Sequence, residues 1–474
     1  MLTRADFLRI GGGAAVAAAA SYGGLRLFGG SSGAARVQSF VTRPDLAPAM
    51  MRVVTRGAST APGLLFLAPS SGPGQRGPLI ADDAGELVWF RPTSPAASMN
   101  LRVAVYRGEP VLTWWQADPD GGLGNGMHVV VDSSYRELAR FPAANGRPSD
   151  LHELMLTPEG TALITSYEIR DADLSSFGGR VLGRVMGGIA QEVELPSAQL
   201  VHEWRSLDHV ALEESYSRVG NAWDYFHINS IGLDDDGQLL ISARNTWTVY
   251  KVDRVTGRVI WRLGGKRNDF AIGNGASFAW QHDARTHDGG RLLSLFDNGA
   301  APIVEPHSRA LVLSLDQARR RVSLLREYTH LPPVSARALG NVQLQENGNV
   351  LVGWGVRPYF SEYSRDGHVL LDVEFPRAEE NYRALRFPWV GRPADPPVIA
   401  RAGGQLFASW NGATEITRWH LEAGREPQSL RHVSTAPKLG FETRLEVPPG
   451  ARHVSAVALD AHDRPLGRSA TLRV

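Results

Sequence analysis

Residues 223–285 constrain the fold more than any other stretch of the chain. They read WDYFHINSIGLDDDGQLLISARNTWTVYKVDRVTGRVIWRLGGKRNDFAIGNGASFAWQHDAR. HINSIGL alternates apolar and polar residues, and Asp234-Asp235-Asp236-Gly237 then turns the chain. QLLISA returns as an apolar run, TWTVYKVD alternates again, Thr256-Gly257 supplies the next turn, and RVIWRL closes the unit. Short strands joined by Asp-Gly or Thr-Gly turns are consecutive hairpins. The unit restarts at Trp280-Gln281-His282. A four-strand meander that recurs every ~40–60 residues is the signature of a propeller or a related array.

The repeat can be followed along the chain. Residues 64–90 form one unit and residues 101–141 the second, while DLHELMLTPEGTALITSYE opens a third that carries an insertion and ends near EWRSLDHV. The 223–285 stretch is the fourth, QHDARTHDGGRLLSLF opens the fifth, and LGNVQLQENGNVLVGW opens the sixth. Six such units predict an all-β fold, a six-bladed β-propeller over residues 36–393 with its blades around a central channel. Closure hides most strand edges. That matters here, because the chain has no cysteine with which to cross-link itself.

Aligning the units on the glycine of the first hairpin gives Gly108, Gly160, Gly237, Gly290 and Gly348. Eight residues before each stand Asn100, His152, Asn229, His282 and Gly340. His227 lies two before Asn229 and shares its face, since strand side chains alternate with period two. The starts of innermost strands surround the channel mouth, so the spacing gathers imidazoles and amides from several blades around one opening. His152 and Asn229 on this register, with Asn341 beside Gly340 and Arg285 out of phase with His282, are candidate substrate-binding groups.

Beyond the repeat, residues 394–474 change character after Pro393, Pro396 and Pro397. Short alternating strands, with Trp410 and Trp419 among the early ones, predict a small β-sandwich resembling fibronectin type III or immunoglobulin-like domains. An extra sheet docked on the propeller is the other reading. If a sandwich, it is a candidate for contact with the cell envelope or a surface glycan. Residues 1–35 resemble a signal peptide, with Arg4 and Arg9 before IGGGAAVAAAA and small residues at Ala34-Ala35. TRADFLR follows a twin-arginine pattern except that Ala5 stands where the second arginine belongs. Export to the cell envelope or beyond is the expectation.

Bulk composition narrows the function. With 50 Lys+Arg against 49 Asp+Glu the formal charge is +1, and no basic tract indicates a nucleic-acid partner. The absence of cysteine excludes thiolate metal sites and thiol catalysis. Asp234-Asp235-Asp236 is read as a tight turn, because a calcium loop needs further acids and a closing Glu. Trp89 and Trp261 follow turn glycines and are read as packing anchors. His202 and His209 flank EWRSLD and are read as structural. No cofactor and no metal are expected.

WDYFHINSI, FAWQHDAR, LLSLFDNG and GNVQLQENGNVLVGWG, in that order, together with HELMLTPEGTALITSYE and EWRSLDHV, resemble the arylsulfotransferase family of bacteria and fungi over most of residues 38–390. The resemblance implies a six-bladed propeller and transfer of a sulfuryl group from a phenolic sulfate ester to a phenolic acceptor. In enteric-type members this passes through a sulfated histidine and uses no nucleotide sulfate donor. It implies His227 and His282 as catalytic residues. Such chemistry suits imidazole, which accepts the group and releases it again, while a second histidine moves the proton. Two departures stand out. SARALGNVQ lacks the third histidine of the enteric-type enzymes, with His330 the nearest, and Asp297-Asn298-Gly299 is followed by Ala300-Ala301 where an arginine is expected. Two readings therefore remain: an aryl-sulfate sulfotransferase in which His227 or His282 is the nucleophile, or an inactive propeller that binds an aromatic or anionic ligand.

Overall fold

The computed structural model describes residues 37–118, 125–376 and 380–474, so the signal-like segment lies outside the described residues. Those described are almost all strand and loop, with one single-turn helix, Ser206–His209. Residues 52–387 build six sheets of four or five strands. Within the second to sixth sheets, consecutive strands pair antiparallel as plain meanders, for example Ile228–Leu233, Leu239–Ala243, Thr248–Val252 and Val259–Gly264. The register glycines Gly108, Gly160, Gly237, Gly290 and Gly348 all turn with φ between 71° and 90°. This is a left-handed conformation that only glycine adopts at no steric cost, and it explains why the five align.

The first sheet is assembled from both ends of this region. Leu64–Leu67, Leu79–Ala81 and Leu87–Phe90 are joined at the inner edge by Leu385–Phe387, which arrives after the sixth sheet. In the other direction Arg52–Arg56 pairs with Val369–Glu374 at the outer edge of the sixth sheet. Contacts run from each sheet to the next and from the sixth back to the first, a propeller-like arrangement. Side chains reinforce the junction. The Asn341 carboxamide donates to the carbonyl of Ala384 and accepts from its N–H, each at 2.9 Å, and Gln343 holds both backbone groups of Arg386 in the same way at 2.9 and 2.7 Å. Arg386, buried, pairs with Glu362 at 2.9 Å and Asp83 at 2.7 Å.

The packing between sheets is apolar. Leu163, Trp204, Phe226 and Tyr250 fill the space between the third and fourth, and Trp261, Leu263, Leu293 and Leu313 that between the fourth and fifth. Trp261 donates to Gln317 Oε1 at 3.2 Å and Trp89 stacks on Tyr135 at 4.7 Å, so both are packing anchors as the sequence indicates. The Asp234-Asp235-Asp236 turn is fixed by Lys251, whose Nζ lies 2.6 Å from Asp234 and 2.7 Å from Asp236.

Where the sheets converge, the core becomes ionic. Glu153 and Arg383 are both fully buried and paired at 3.0 Å, Arg285 bonds Glu153 and also Asp283 at 2.8 Å, and Arg102 lies 3.3 Å from Glu153. Asn100 accepts from Arg383 at 3.0 Å. Burial disfavours the Glu153 charge, but the three guanidiniums outweigh it and hold the carboxyl down at about 2. Residues from the second, third and fifth sheets and from the closing segment therefore share one charge cluster.

Residues 398–473 form two further sheets. One holds Val398–Ala402, Gln405–Ser409 and Glu442–Leu445, and the other is built around Arg418–Gly424 and His453–Leu459. Leu406, Ala408, Trp419, Leu421, Val454 and Ala456 make their common core. This part is bound to the first and second sheets. The Asn411 side chain bonds both backbone groups of Phe90, at 3.0 and 2.9 Å, and Tyr135 donates to the Gly412 carbonyl at 2.7 Å.

Two outcomes follow. Glu153→Ala leaves Arg102 without a carboxylate and Arg285 and Arg383 sharing Asp283 alone, and loss of one partner from such a buried cluster lowers the unfolding free energy by about 3–5 kcal/mol; urea denaturation measures it. The second concerns His128, which is fully buried without a hydrogen-bond partner among the described residues and is pushed by burial from 6.5 down to about 4. Its folded pKa is below its unfolded one, so its contribution is complete above pH 6.5 and is lost as pH falls toward 4, by roughly 3 kcal/mol. His128→Leu flattens that part of the stability–pH curve.

Candidate functional site

The connections between strands alternate between two ends of the sheets. One end carries tight turns such as 107–108, 157–160, 234–238 and 288–291, and the other carries the long connections 173–182, 206–222, 298–308 and 329–340. The innermost strands begin at the long-loop end, and there the structure gathers His152, His227 and His282. One ring nitrogen from each lies within 4.8 Å of the other two. The ring centroids of His152 and His227 are 5.0 Å apart and those of His227 and His282 6.4 Å.

The backbone is bent to put them there. The ladders shift register between Ile228 and Ser230 and between His282 and Arg285, and also between Met99 and Arg102. His227 and Asp283 have φ of 55° and Asn100 of 64°. Non-glycine residues in this region carry strain of ~1–3 kcal/mol that the surrounding structure must hold. A bulge re-aims the side chains beside it, which is how residues from straight strands turn toward one point.

Each imidazole is oriented through Nδ1. Asp150 Oδ2 accepts from Nδ1 of His152 at 2.6 Å and from the Thr165 hydroxyl at 2.9 Å. Burial raises the Asp150 carboxyl, but His152 and Thr165 together hold it below the usual carboxylate range. Asp224 takes Nδ1 of His227 at 2.5 Å and the His227 backbone N–H at 3.0 Å. His282 Nδ1 meets Asn298 Oδ1 at 2.7 Å, and the Asn298 amide donates to the carbonyls of Ala336 and Leu339 at 2.8 and 3.0 Å. Because that NH2 group is engaged, the oxygen must face the ring, so Nδ1 of His282 carries the proton. In all three rings the lone pair is left on Nε2. The Leu339 N–H approaches Nε2 of His282 at 3.3 Å.

The electrostatics favour the neutral form of His227 and His282. Burial lowers the pKa of His227, Asp224 opposes this, and His152 and Arg244 push it further down. His282 lies well below the ordinary imidazole value through burial, with Arg244 and its two histidine neighbours adding to the effect. Arg244 packs over Trp280 at 4.7 Å and donates to Asn245 Oδ1 and the Arg337 carbonyl, each at 2.9 Å. Burial brings its own pKa down to about 10. Tyr382 stands edge-on to His152 at 5.7 Å.

The other residues nominated by spacing are placed differently. Asn229 is buried at the charge cluster, donating to the Gln281 carbonyl at 2.6 Å, with its own carbonyl accepting from Tyr382 at 3.0 Å. Arg285 belongs to the cluster around Glu153, with its remaining contact a 2.7 Å bond to the Ile231 carbonyl. The bulge after His282 breaks the alternation that the out-of-phase reading assumed, so Arg285 points to the hub. The two ends of the Asn341 carboxamide are both engaged by Ala384. His330 bonds the Pro332 carbonyl at 2.8 Å and stacks against Tyr359, away from the three histidines. His209 stacks on Trp204 at 5.4 Å, in keeping with a structural role. The sequence reading missed Asp150, Asp224, Asn298 and Arg244. An acid two or three residues before a histidine, in DLH and DYFH, was the available signal for the first two.

Solved structures that share strand architecture with this chain are distant from it. A protein of unknown function from Bacteroides caccae is 14% identical, with a TM-score of 0.39 over 68% of this chain and 98% of that one. The Dos1 propeller is 12% identical, with a TM-score of 0.32 over 73% of each chain. A streptogramin B lyase is 12% identical, with a TM-score of 0.33 over 76% of this chain and 94% of that one. No curated protein sequence matches. The sequence profile of the arylsulfotransferase (ASST) family does match, over residues 102–376, which is more than half of the chain and includes all three histidines and Arg244. The chain belongs to the arylsulfotransferase family.

Proposed function

We propose that this chain transfers a sulfuryl group from a phenolic sulfate ester to a phenolic acceptor at the His152–His227–His282 cluster. In this reading the six sheets are the blades of a six-bladed propeller spanning residues 36–393, and residues 394–474 are a separate β-sandwich. The observation that carries the proposal is the convergence of three imidazoles, each with Nδ1 held by a side-chain oxygen, beside the half-buried Arg244 guanidinium.

His227 is assigned as nucleophile. Its side chain is the most accessible of those two rings whose Nδ1 is held by a carboxylate, 13% against 9% for His152. The Nε2 lone pair attacks sulfur, the N–S bond forms, and the bond from sulfur to the phenolic oxygen breaks. The departing phenolate takes a proton from solvent. An acceptor phenol then loses its proton to a neighbouring imidazole, attacks the same sulfur, and breaks the N–S bond. Arg244 stands where it can neutralise sulfate oxygens, and removal of one such donor costs about 3 kcal/mol of barrier. Asn229, Arg285 and Asn341 serve the frame that holds the rings.

With p-nitrophenyl sulfate and excess phenol, the folded protein should release nitrophenol with ping-pong kinetics. His227→Ala should abolish release, and Arg244→Gln should slow it by ~10²–10³-fold. A sulfate adduct on the peptide containing His227 should be visible by mass spectrometry after a donor-only quench. If folded protein turns over no aryl sulfate with any phenol, the reading fails. The pH profile is a second check. Because His227 lies below the ordinary imidazole value, the acid limb of kcat/KM should fall below pH 6.5, and Asp224→Asn should move it lower still.

A further inference from the structure

The three fixed tautomers have an electrostatic consequence. Asp150, Asp224 and Asn298 each engage an Nδ1, and one ring nitrogen of each histidine lies within 4.8 Å of the other two, so the lone pairs left at the cluster are those of Nε2. Acceptors cannot bond one another. The Leu339 N–H reaches Nε2 of His282 at 3.3 Å, and a water molecule, with two hydrogens, can serve the other two. Arg244, as a cation, commits one N–H to Asn245 Oδ1 and one to the Arg337 carbonyl. A single cation with directional affinity for nitrogen satisfies all three at once.

We propose that the cluster binds one divalent ion of borderline softness, represented by Zn2+, through Nε2 of His152, His227 and His282, and that this ion and an aryl sulfate exclude one another. Imidazole donors suit zinc. Among the described residues no carboxylate completes this set, so calcium and magnesium, which need oxygen ligands, do not fit. The outer contacts have the pattern that metal-bound histidines use, an Nδ1–H given to a carboxylate or an amide oxygen, which orients the ring and raises its basicity. Asp150 and Asp224 also place two carboxylates behind the rings to offset the incoming charge. Zinc–nitrogen bonds of ~2.0–2.1 Å in a tetrahedron set the nitrogens roughly 3.4 Å apart. The rings must therefore close by about an ångström, and the one contact displaced is the 3.3 Å approach of the Leu339 N–H to His282. The fourth position stays open to water.

The exclusion rests on the proposed transferase reading. An ion that uses all three lone pairs leaves none to attack sulfur, so zinc acts as a reversible inhibitor.

The test uses the full chain freed of metal by a chelator. Zn2+ is titrated in competition with a chromophoric chelator, and Co2+ is added separately to observe the d–d absorption of a four-coordinate ion. One equivalent per chain is expected. His227→Ala should weaken binding at least 100-fold, while Asp224→Asn, which keeps the ring, should weaken it ~10–100-fold. His432→Ala, at an exposed position on the C-terminal sheets, should leave it unchanged. Circular dichroism confirms that each variant is folded. If no equivalent of zinc binds, or if it binds equally well to His227→Ala and Asp224→Asn, the site is overturned. If nitrophenol release proceeds undiminished with one zinc bound, the exclusion is overturned while the site stands. Zinc binding without any sulfuryl transfer would refute the transferase reading alone, and transfer without zinc binding would refute the metal site alone.

Discussion

The buried ion cluster around Glu153 is the interaction on which the remaining structure depends. Glu153 comes from the third sheet, Arg102 from the second, Asp283 and Arg285 from the fifth, and Arg383 from the segment that closes onto the first. Charges taken out of water are costly unless their partners are well placed. Here each guanidinium has a carboxylate, so the arrangement is tolerable only when all the segments are in position. Apolar packing between neighbouring sheets is more permissive, since hydrophobic contact is not directional. The cluster supplies the directional constraint at the centre, and it does so directly beneath the histidines: Asp283 follows His282, and Glu153 follows His152.

That adjacency links frame and chemistry. Side chains of successive residues in a strand point in opposite directions, so a histidine aimed at the loop end can be followed by an acid aimed at the hub. The bulges and left-handed residues at His227 and Asp283 are the backbone's accommodation to serving both. The imidazoles are then locked by Nδ1 contacts from Asp150, Asp224 and Asn298, and none of these needs to touch a substrate to decide which nitrogen does.

Much of this was legible in the sequence. Turn chemistry exposes itself because a left-handed φ demands glycine, so Gly160 and Gly290 revealed the register, and counting back reached His152 and His282. His227 followed from period two. Proximity to the counted positions nominated Asn341, next to Gly340, and Arg285, three after His282, whose side chains are engaged by Ala384 and by Glu153. Spacing reports position along a strand but not the local rotation that a bulge imposes. Arg244 was not legible at all. It sits in the turn between Leu239–Ala243 and Thr248–Val252, where nothing in LLISARNTW separates a guanidinium beside the histidines from an ordinary turn arginine. Ring closure was predicted as a class of fold, but its means, an inner strand contributed by residues 385–387 and an outer one by 52–56, depended on pairing partners more than 300 residues apart.

That long-range pairing has a temporal side. The first sheet lacks its inner strand until Leu385–Phe387 has emerged, and Arg383, which bridges Asn100 and Glu153, emerges only just before it. A nascent chain already carrying His152, His227 and His282 is therefore still a row of separate hairpin stacks with an open hub. Contacts of such sequence separation are slow to form, because the intervening loop must be closed before they reward it. The site that gathers the three histidines is thus completed late in biosynthesis, when the last few residues of the propeller-like region close it.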